Sequence, residues 1–90
     1  MTPDLVIRRV KRPSDSTPVD LVVREGQIEQ ISPNWTGEAR EELDASEFLV
    51  LPGFIDAHVH LNEPGRTDWE GLETGTHALA ASGVTAFCDM

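Results

Sequence analysis

The first half of the chain alternates short runs of apolar and β-branched residues with turn-forming residues, a pattern typical of short strands. The predicted strands are residues 5–10, 19–24, 27–31, 43–45 and 48–51. Glu25-Gly26 has the length and the glycine of a hairpin turn. The breaker-rich residues 12–18 predict a loop, and the charged residues 32–42 predict an exposed connector. We therefore expect residues 1–51 to form a β-rich module around a small antiparallel sheet.

Residues 52–62 follow the two-residue period of a strand and have two distinct faces. Ile55, Ala57, Val59 and Leu61 form the apolar face, and Asp56, His58, His60 and Asn62 form the polar face. Pro52-Gly53 marks the start of this strand, and Pro64-Gly65 breaks the chain shortly after it. One face is therefore suited to packing and the other to chemistry.

His58 and His60 are candidate metal ligands. Residues two apart on a strand lie about 7 Å apart on one face, so both imidazoles can reach a single ion through bonds of about 2.0–2.1 Å. Asp56, one pleat earlier, is expected to orient an imidazole N–H. Catalytic zinc sites use three protein ligands and a water, so further ligands have to come from elsewhere. The alternative is that the two histidines only fill a pocket or lie on the surface.

The apolar period then changes to that of a helix, which is predicted over residues 68–82. Thr67 and Glu70 have the spacing of a capping box. The predicted buried stripe consists of Trp69, Leu72, Thr76, Leu79, Ala80 and Gly83. Gly83 fits a left-handed cap before a last strand at residues 84–89.

A strand, a helix and a strand in this order predict two parallel strands joined by a crossover. In such units the reactive groups lie at the carboxyl ends of the strands, which is where His58, His60 and Asn62 fall. His77, on the predicted helix, is expected to be an ordinary surface or packing residue.

The composition excludes several classes of partner. The 90 residues include 16 acidic and 7 basic side chains, and the formal charge of −9 disfavours nucleic acid and anionic membrane surfaces. Because the N-terminus lacks a secretory signal pattern and no apolar run is long enough to span a bilayer, we expect a cytoplasmic protein. Cys88 is the only cysteine, which rules out an internal disulfide, and its thiol is expected to be buried.

The chain is short for an enzyme with a metal-binding cleft. Its last predicted strand is followed by no turn, cap or polar tail. We therefore expect these residues to be the front of a longer protein and to be inactive by themselves. A complete small protein is the alternative.

The run from Pro52 to His60, followed by Glu63-Pro64-Gly65 and Glu73-Thr74-Gly75, resembles the start of the amidohydrolase superfamily. The cyclic amidohydrolase branch of allantoinases, dihydroorotases and hydantoinases is the most similar part of it. The resemblance implies an α/β fold. Residues 52–90 would begin a (β/α)8 barrel of the TIM type, and residues 1–51 would be the N-terminal part of a small β-sandwich domain.

The resemblance also implies a centre of two divalent metal ions, with zinc expected and cobalt, manganese or iron as alternatives. His58 and His60 would end the first barrel strand at this centre. The family completes its site with a carboxylated lysine, two further histidines and an aspartate, all beyond Met90, so no catalytic residue is expected within the chain. A homo-oligomer is implied as well, with a tetramer as the expected form.

The expected substrate depends mainly on Asn62. Dihydroorotases typically carry arginine there to pair with the substrate carboxylate, so a neutral Asn62 suits an uncharged cyclic ureide. The run 62–71 is similar to that of allantoinases, which implies hydrolysis of allantoin to allantoate in purine degradation. Dihydroorotase or hydantoinase activity is the alternative, and a non-catalytic scaffold is the rival from another class. Arg66 is expected to form an ion pair with Glu63 or Asp68.

Overall fold

The computed structural model describes residues 2–90, which form two compact units, one ending at Leu51 and the other spanning Pro52–Met90. The strands of the first unit are β1 (Leu5–Arg12), β2 (Asp15–Arg24), β3 (Gln27–Ser32) and β4 (Glu41–Asp44). They form one sheet in the order β3-β2-β1-β4. The predicted antiparallel pairing is confirmed for the first three strands, whereas β4 pairs parallel to β1 and was not predicted to do so. The chain has to cross the sheet between β3 and β4, because these strands lie at opposite edges.

The hairpin between β2 and β3 is confirmed. Glu25 and Gly26 both have positive φ angles, 52° and 75°. Two consecutive residues in this region form the mirror-image type I turn, whose twist matches that of the flanking strands. Glycine at the second position makes this turn accessible without steric cost.

Two other predictions in this unit are wrong. The predicted loop over residues 12–18 is a two-residue turn, since Arg12 pairs with Asp15 and β2 starts there. Pro18 is tolerated within β2 because the β1–β2 ladder is irregular at this point. The predicted strand over residues 48–51 is reduced to a single parallel bridge between Lys11 and Leu49.

A small apolar cluster holds the first unit together. Its buried members are Val10, Val19, Leu21 and Ala45, and Ile7 and Val50 pack against them. The residues of this cluster belong to β1, to β2 and to the segment that follows β4. Burial of these side chains therefore fixes the chain after β4 as well as the sheet itself.

A buried carboxylate compensates for an irregularity in β1. The β1–β2 register shifts around Arg9, whose φ is 60°. Asp20 is 3% exposed and accepts hydrogen bonds from the Arg9 N–H at 3.0 Å, the Trp35 N–H at 2.9 Å and Arg8 Nη1 at 3.1 Å. The carboxylate thus replaces the ladder partner that Arg9 lacks, and it ties the connector after β3 to the sheet.

The same contacts set the ionisation of Asp20. Burial raises the pKa of this carboxyl group, but the hydrogen bonds from Arg9, Trp35 and Arg8 outweigh burial and hold the pKa below its ordinary value. The ionised carboxylate therefore stabilises the fold above the unfolded-state pKa of about 3.9. That contribution is lost as the pH falls through the lower folded-state pKa.

We expect Asp20→Asn in the full-length protein to lower the free energy of unfolding by about 1–3 kcal/mol near neutral pH, because charge-assisted hydrogen bonds are weakened. The deficit should shrink as the pH falls from about 4 through the lower folded-state pKa, because the unfolded wild-type chain binds a proton at Asp20 first and the folded chain follows. Urea denaturation across this pH range measures both effects.

Asp15→Asn is the matched control, since Asp15 is an exposed aspartate on the same strand. It should change the free energy of unfolding much less than Asp20→Asn does. An Asp20→Asn deficit that did not depend on pH would contradict the role assigned to the ionised carboxylate.

The second unit consists of strand β5 (Phe54–Val59), helix α1 (Leu72–Ala81) and strand β6 (Val84–Asp89). β5 and β6 pair parallel, which confirms the predicted order and pairing. Gly83 follows α1 with a φ of 89°, as predicted for the residue after the helix. Within residues 2–90, no helix has the length and apolar character needed to cross a membrane.

α1 begins four residues later than predicted. Gly71 precedes it with a φ of 90°, which a right-handed helix does not allow, and residues 67–70 form turns and a bend instead. The predicted capping box of Thr67 and Glu70 is therefore wrong. The residue at the cap position is Gly71, which has no side chain to accept a hydrogen bond.

The predicted burial pattern of this unit is also wrong in part. Trp69 is 64% exposed and Leu72 is 42% exposed, whereas Gly75 is the buried residue of α1. Cys88 is exposed and not buried. The physical reason is that this unit contains one helix and two strands, so only part of each apolar surface finds a partner.

Candidate metal centre

The structure brings the two predicted ligands together at the carboxyl end of β5. His58 is the fifth residue of this strand, and His60 follows its last residue. The two Nε2 atoms are 3.1 Å apart, and the ring centroids are 5.0 Å apart with the ring planes at 68°. Both side chains are exposed. The two-residue period of the sequence thus predicted a real convergence of the two rings.

This separation fits two ligands of one ion. Two nitrogens bound at about 2.05 Å with a tetrahedral angle between them lie about 3.3 Å apart. Imidazole nitrogen is a ligand that suits zinc, copper, iron and nickel. A hydrogen bond between the rings is the competing arrangement, and it requires one Nε2 to carry a proton and the other to accept it. The donor set and its spacing fit a divalent metal, although the part of the chain that the structure describes contains no cluster of three or more candidate ligands.

The prediction that Asp56 orients an imidazole is wrong. Its Oδ1 accepts a hydrogen bond from the backbone N–H of His58 at 3.1 Å. The carboxylate therefore fixes the peptide of His58 and not its ring. Asp56 lies two residues before His58 on the same face of β5. It therefore restrains the backbone that carries His58.

A cleft of about 500 Å³ opens beside His60. Asn62 and Asp89 border it, together with the loop of residues 63–66. Asn62 has a φ of 65°, and its Nδ2 donates a hydrogen bond to the backbone oxygen of His60 at 3.3 Å. The predicted substrate-binding residue therefore lies next to a predicted metal ligand on the wall of one cleft.

The expected ion pair of Arg66 is not formed within residues 2–90. Its guanidinium lies over the ring of Trp69, 4.4 Å from the ring centroid. The exposed ring of Trp69 thus contacts Arg66 through a cation–π interaction. His77 is exposed on α1, in agreement with the ordinary role expected for it.

Sequence reasoning missed the residue that caps α1. Glu63 Oε1 accepts a hydrogen bond from the backbone N–H of Leu72 at 3.1 Å, and the oxygen of Leu61 accepts one from the N–H of Gly71 at 2.8 Å. Two donors at the start of the helix are thus satisfied by the loop that follows β5. Glu63 lies nine residues before Leu72, a distance at which no capping pattern is defined.

We expect Glu63→Ala to destabilise the full-length protein by about 0.5–2 kcal/mol, because the N–H of Leu72 loses its acceptor. Glu63→Gln keeps an oxygen at this position and should recover most of the loss. The midpoint of thermal unfolding measures both variants. Equal destabilisation by alanine and glutamine would show that the carboxylate charge matters and that the hydrogen bond does not.

The chain is similar to several known proteins. Residues 49–90 match the family model described as Amidohydrolase family. The chain is 58% identical over 71 residues to the allantoinase of Rubrobacter xylanophilus, a match that covers 79% of this chain and 16% of that protein. It is 48% identical to the allantoinase of Deinococcus radiodurans over an alignment of 92 positions, which covers 100% of this chain and 20% of that protein.

Among solved structures, the L-hydantoinase (dihydropyrimidinase) from Arthrobacter aurescens matches with a TM-score of 0.81 and 26% sequence identity. This match covers 99% of the chain and 21% of the hydantoinase. The chain therefore spans about a fifth of the length of the proteins it resembles.

Proposed function

We propose that the full-length protein is a metal-dependent hydrolase of a cyclic amide, because residues 49–90 match the amidohydrolase family model. The substrate we propose is allantoin, whose hydantoin ring would be opened to give allantoate. The observation that carries the proposal is the 3.1 Å approach of His58 Nε2 to His60 Nε2 at the carboxyl end of a parallel strand.

For the fold, we propose that β5, α1 and β6 are the first strand, helix and second strand of a (β/α)8 barrel. Residues 1–51 would then be the N-terminal part of a small β-sandwich domain, and residues 52–90 the start of the barrel domain. The parallel pairing of β5 and β6 supports this proposal, as does the likeness to the hydantoinase over 99% of the chain. Chemistry in such barrels occurs at the carboxyl ends of the strands.

His58 and His60 would hold one ion of a two-metal centre through their neutral imidazole nitrogens. When bound, a divalent metal acts as a Lewis acid on a carbonyl oxygen and lowers the pKa of a coordinated water. The residues of this chain fix the position of the pair, because Asp56 binds the backbone N–H of His58. The carboxylated lysine, the two further histidines and the aspartate of the family would come from residues beyond Met90.

Asn62 would contribute to substrate binding. Its carboxamide offers one acceptor and two donors, the same groups that a cyclic ureide presents, and it carries no charge to pair with a carboxylate. The cleft beside it has a volume in the ordinary range for small-molecule sites. The matches to allantoinases at 48–58% identity favour allantoin over dihydroorotate or a hydantoin as the substrate.

A catalytically inactive scaffold is the candidate from another class. The convergence of both imidazoles argues for an enzyme, because a scaffold has no need to retain this geometry. Zinc as the metal, a role in purine degradation, a cytoplasmic location and a homotetrameric assembly stay predictions of the sequence resemblance.

We expect His58→Ala and His60→Ala each to lower hydrolysis of allantoin at least 100-fold in the full-length protein, and to cost it up to one of its two metal ions, because each variant removes a ligand. His77→Ala is the matched control, since it removes an exposed histidine of the same unit, and it should retain full metal content. Elemental analysis of the purified proteins and the rate of allantoin hydrolysis provide the measurements. A His58→Ala variant with full metal content and activity would refute the ligand assignment.

We expect Asn62→Arg to lower kcat/KM for allantoin by about 10²-fold or more, because an uncompensated guanidinium would face a neutral ring. Asn62→Gln keeps the same donors and acceptors and should have a smaller effect. Steady-state kinetics with allantoin, dihydroorotate and hydantoin would test the assignment. Wild-type protein that opened dihydroorotate and left allantoin intact would contradict the proposed substrate.

A further inference from the structure

Leu61, the residue between His60 and Asn62, is held at three points within the second unit. Its carbonyl oxygen accepts the N–H of Gly71 at 2.8 Å, and its own N–H donates to Asp89 Oδ1 at 3.4 Å. Its side chain is 3% exposed and contacts Gly75 of α1. The backbone and the side chain of Leu61 are therefore both fixed.

The fit of Leu61 against α1 depends on the absence of a side chain at position 75. A Cβ atom built on Gly75 would overlap Leu61 Cδ2. The φ angle of Gly75 is that of an ordinary helical residue, so the chain does not need glycine there for backbone conformation. Glycine also weakens a helix relative to alanine. Gly75 therefore allows the side chain of Leu61 to pack closely against α1.

The position of Leu61 fixes the directions of the residues on either side. The peptide units before and after Leu61 are planar, so anchoring its N–H and its C=O restricts the backbone of both His60 and Asn62. His60 supplies one of the two converging imidazoles, and Asn62 lies on the cleft wall. A shift of Leu61 would therefore change the distance between His58 and His60.

We propose that Gly75 and Leu61 are a positioning pair. The missing side chain at Gly75 lets Leu61 pack against α1, and the position of Leu61 in turn holds the imidazole of His60 at metal-binding distance from His58. The inference rests on the proposed metal centre. It assigns a function to a helix residue that does not itself line the cleft of His60 and Asn62.

Gly75→Ala in the full-length protein tests this proposal. An open groove of about 270 Å³ beside the contact, bordered by Val59 and Leu79, would take up a displaced Leu61. We therefore expect the variant to stay folded with a shifted Leu61 and to bind metal about 10–100-fold more weakly. Chelator competition measures the affinity, and the visible absorption spectrum of the cobalt-substituted protein reports a changed ligand geometry.

A second substitution should rescue the first. Leu61→Val in the Gly75→Ala background removes about as much volume as alanine adds, and volume-conserving exchanges are the best tolerated. We expect the double variant to return to within about threefold of the wild-type metal affinity. Thr74→Ala is the control, because Thr74 is an exposed neighbour on α1 and alanine favours the helix there as well. Its affinity and cobalt spectrum should match the wild type.

The outcomes separate this inference from the proposed function. If His58→Ala and His60→Ala lose metal while Gly75→Ala keeps the wild-type affinity and spectrum, the positioning pair is refuted and the metal centre stands. A loss in Gly75→Ala that Leu61→Val fails to restore would also refute the pair. If His58→Ala and His60→Ala keep their metal, the metal centre itself is refuted.

Discussion

The parallel pairing of β5 with β6 is the constraint on which the candidate site depends. Two adjacent parallel strands cannot be joined by a tight turn, so the chain has to leave the end of β5 and return to the start of β6 through a crossover. α1 provides this crossover. The residues just after β5 are consequently next to the beginning of a helix, and this neighbourhood supplies the contacts that hold them.

The start of α1 and the loop after β5 satisfy each other's hydrogen bonds. The first N–H groups of a helix have no partner within the helix. Here the N–H groups of Gly71 and Leu72 bind the oxygen of Leu61 and the carboxylate of Glu63. The same contacts that complete the helix therefore order the loop that carries His60 and Asn62. The crossover and the residues of the candidate site are thus stabilised by the same contacts in this unit.

The sequence predicted the features that depend on short-range periodicity. The two faces of residues 52–62 place His58 and His60 together, and the Glu25-Gly26 turn was predicted from its length and its glycine. The features that it missed depend on contacts between distant residues. The late start of α1 is set by Glu63 and by the hydrogen bond of Gly71 to Leu61, neither of which belongs to a local capping pattern.

The number of donors explains why His58 and His60 would be only part of the proposed centre. Two imidazoles supply two ligands, whereas catalytic zinc sites use three protein ligands and a water. The nearby carboxylates have other partners, since Asp56 binds a backbone N–H and Glu63 caps α1. The remaining ligands of the proposed centre would therefore come from other parts of the full-length protein. This fits the carboxylated lysine and the aspartate that the family resemblance implies, and His58 and His60 would then position the ion.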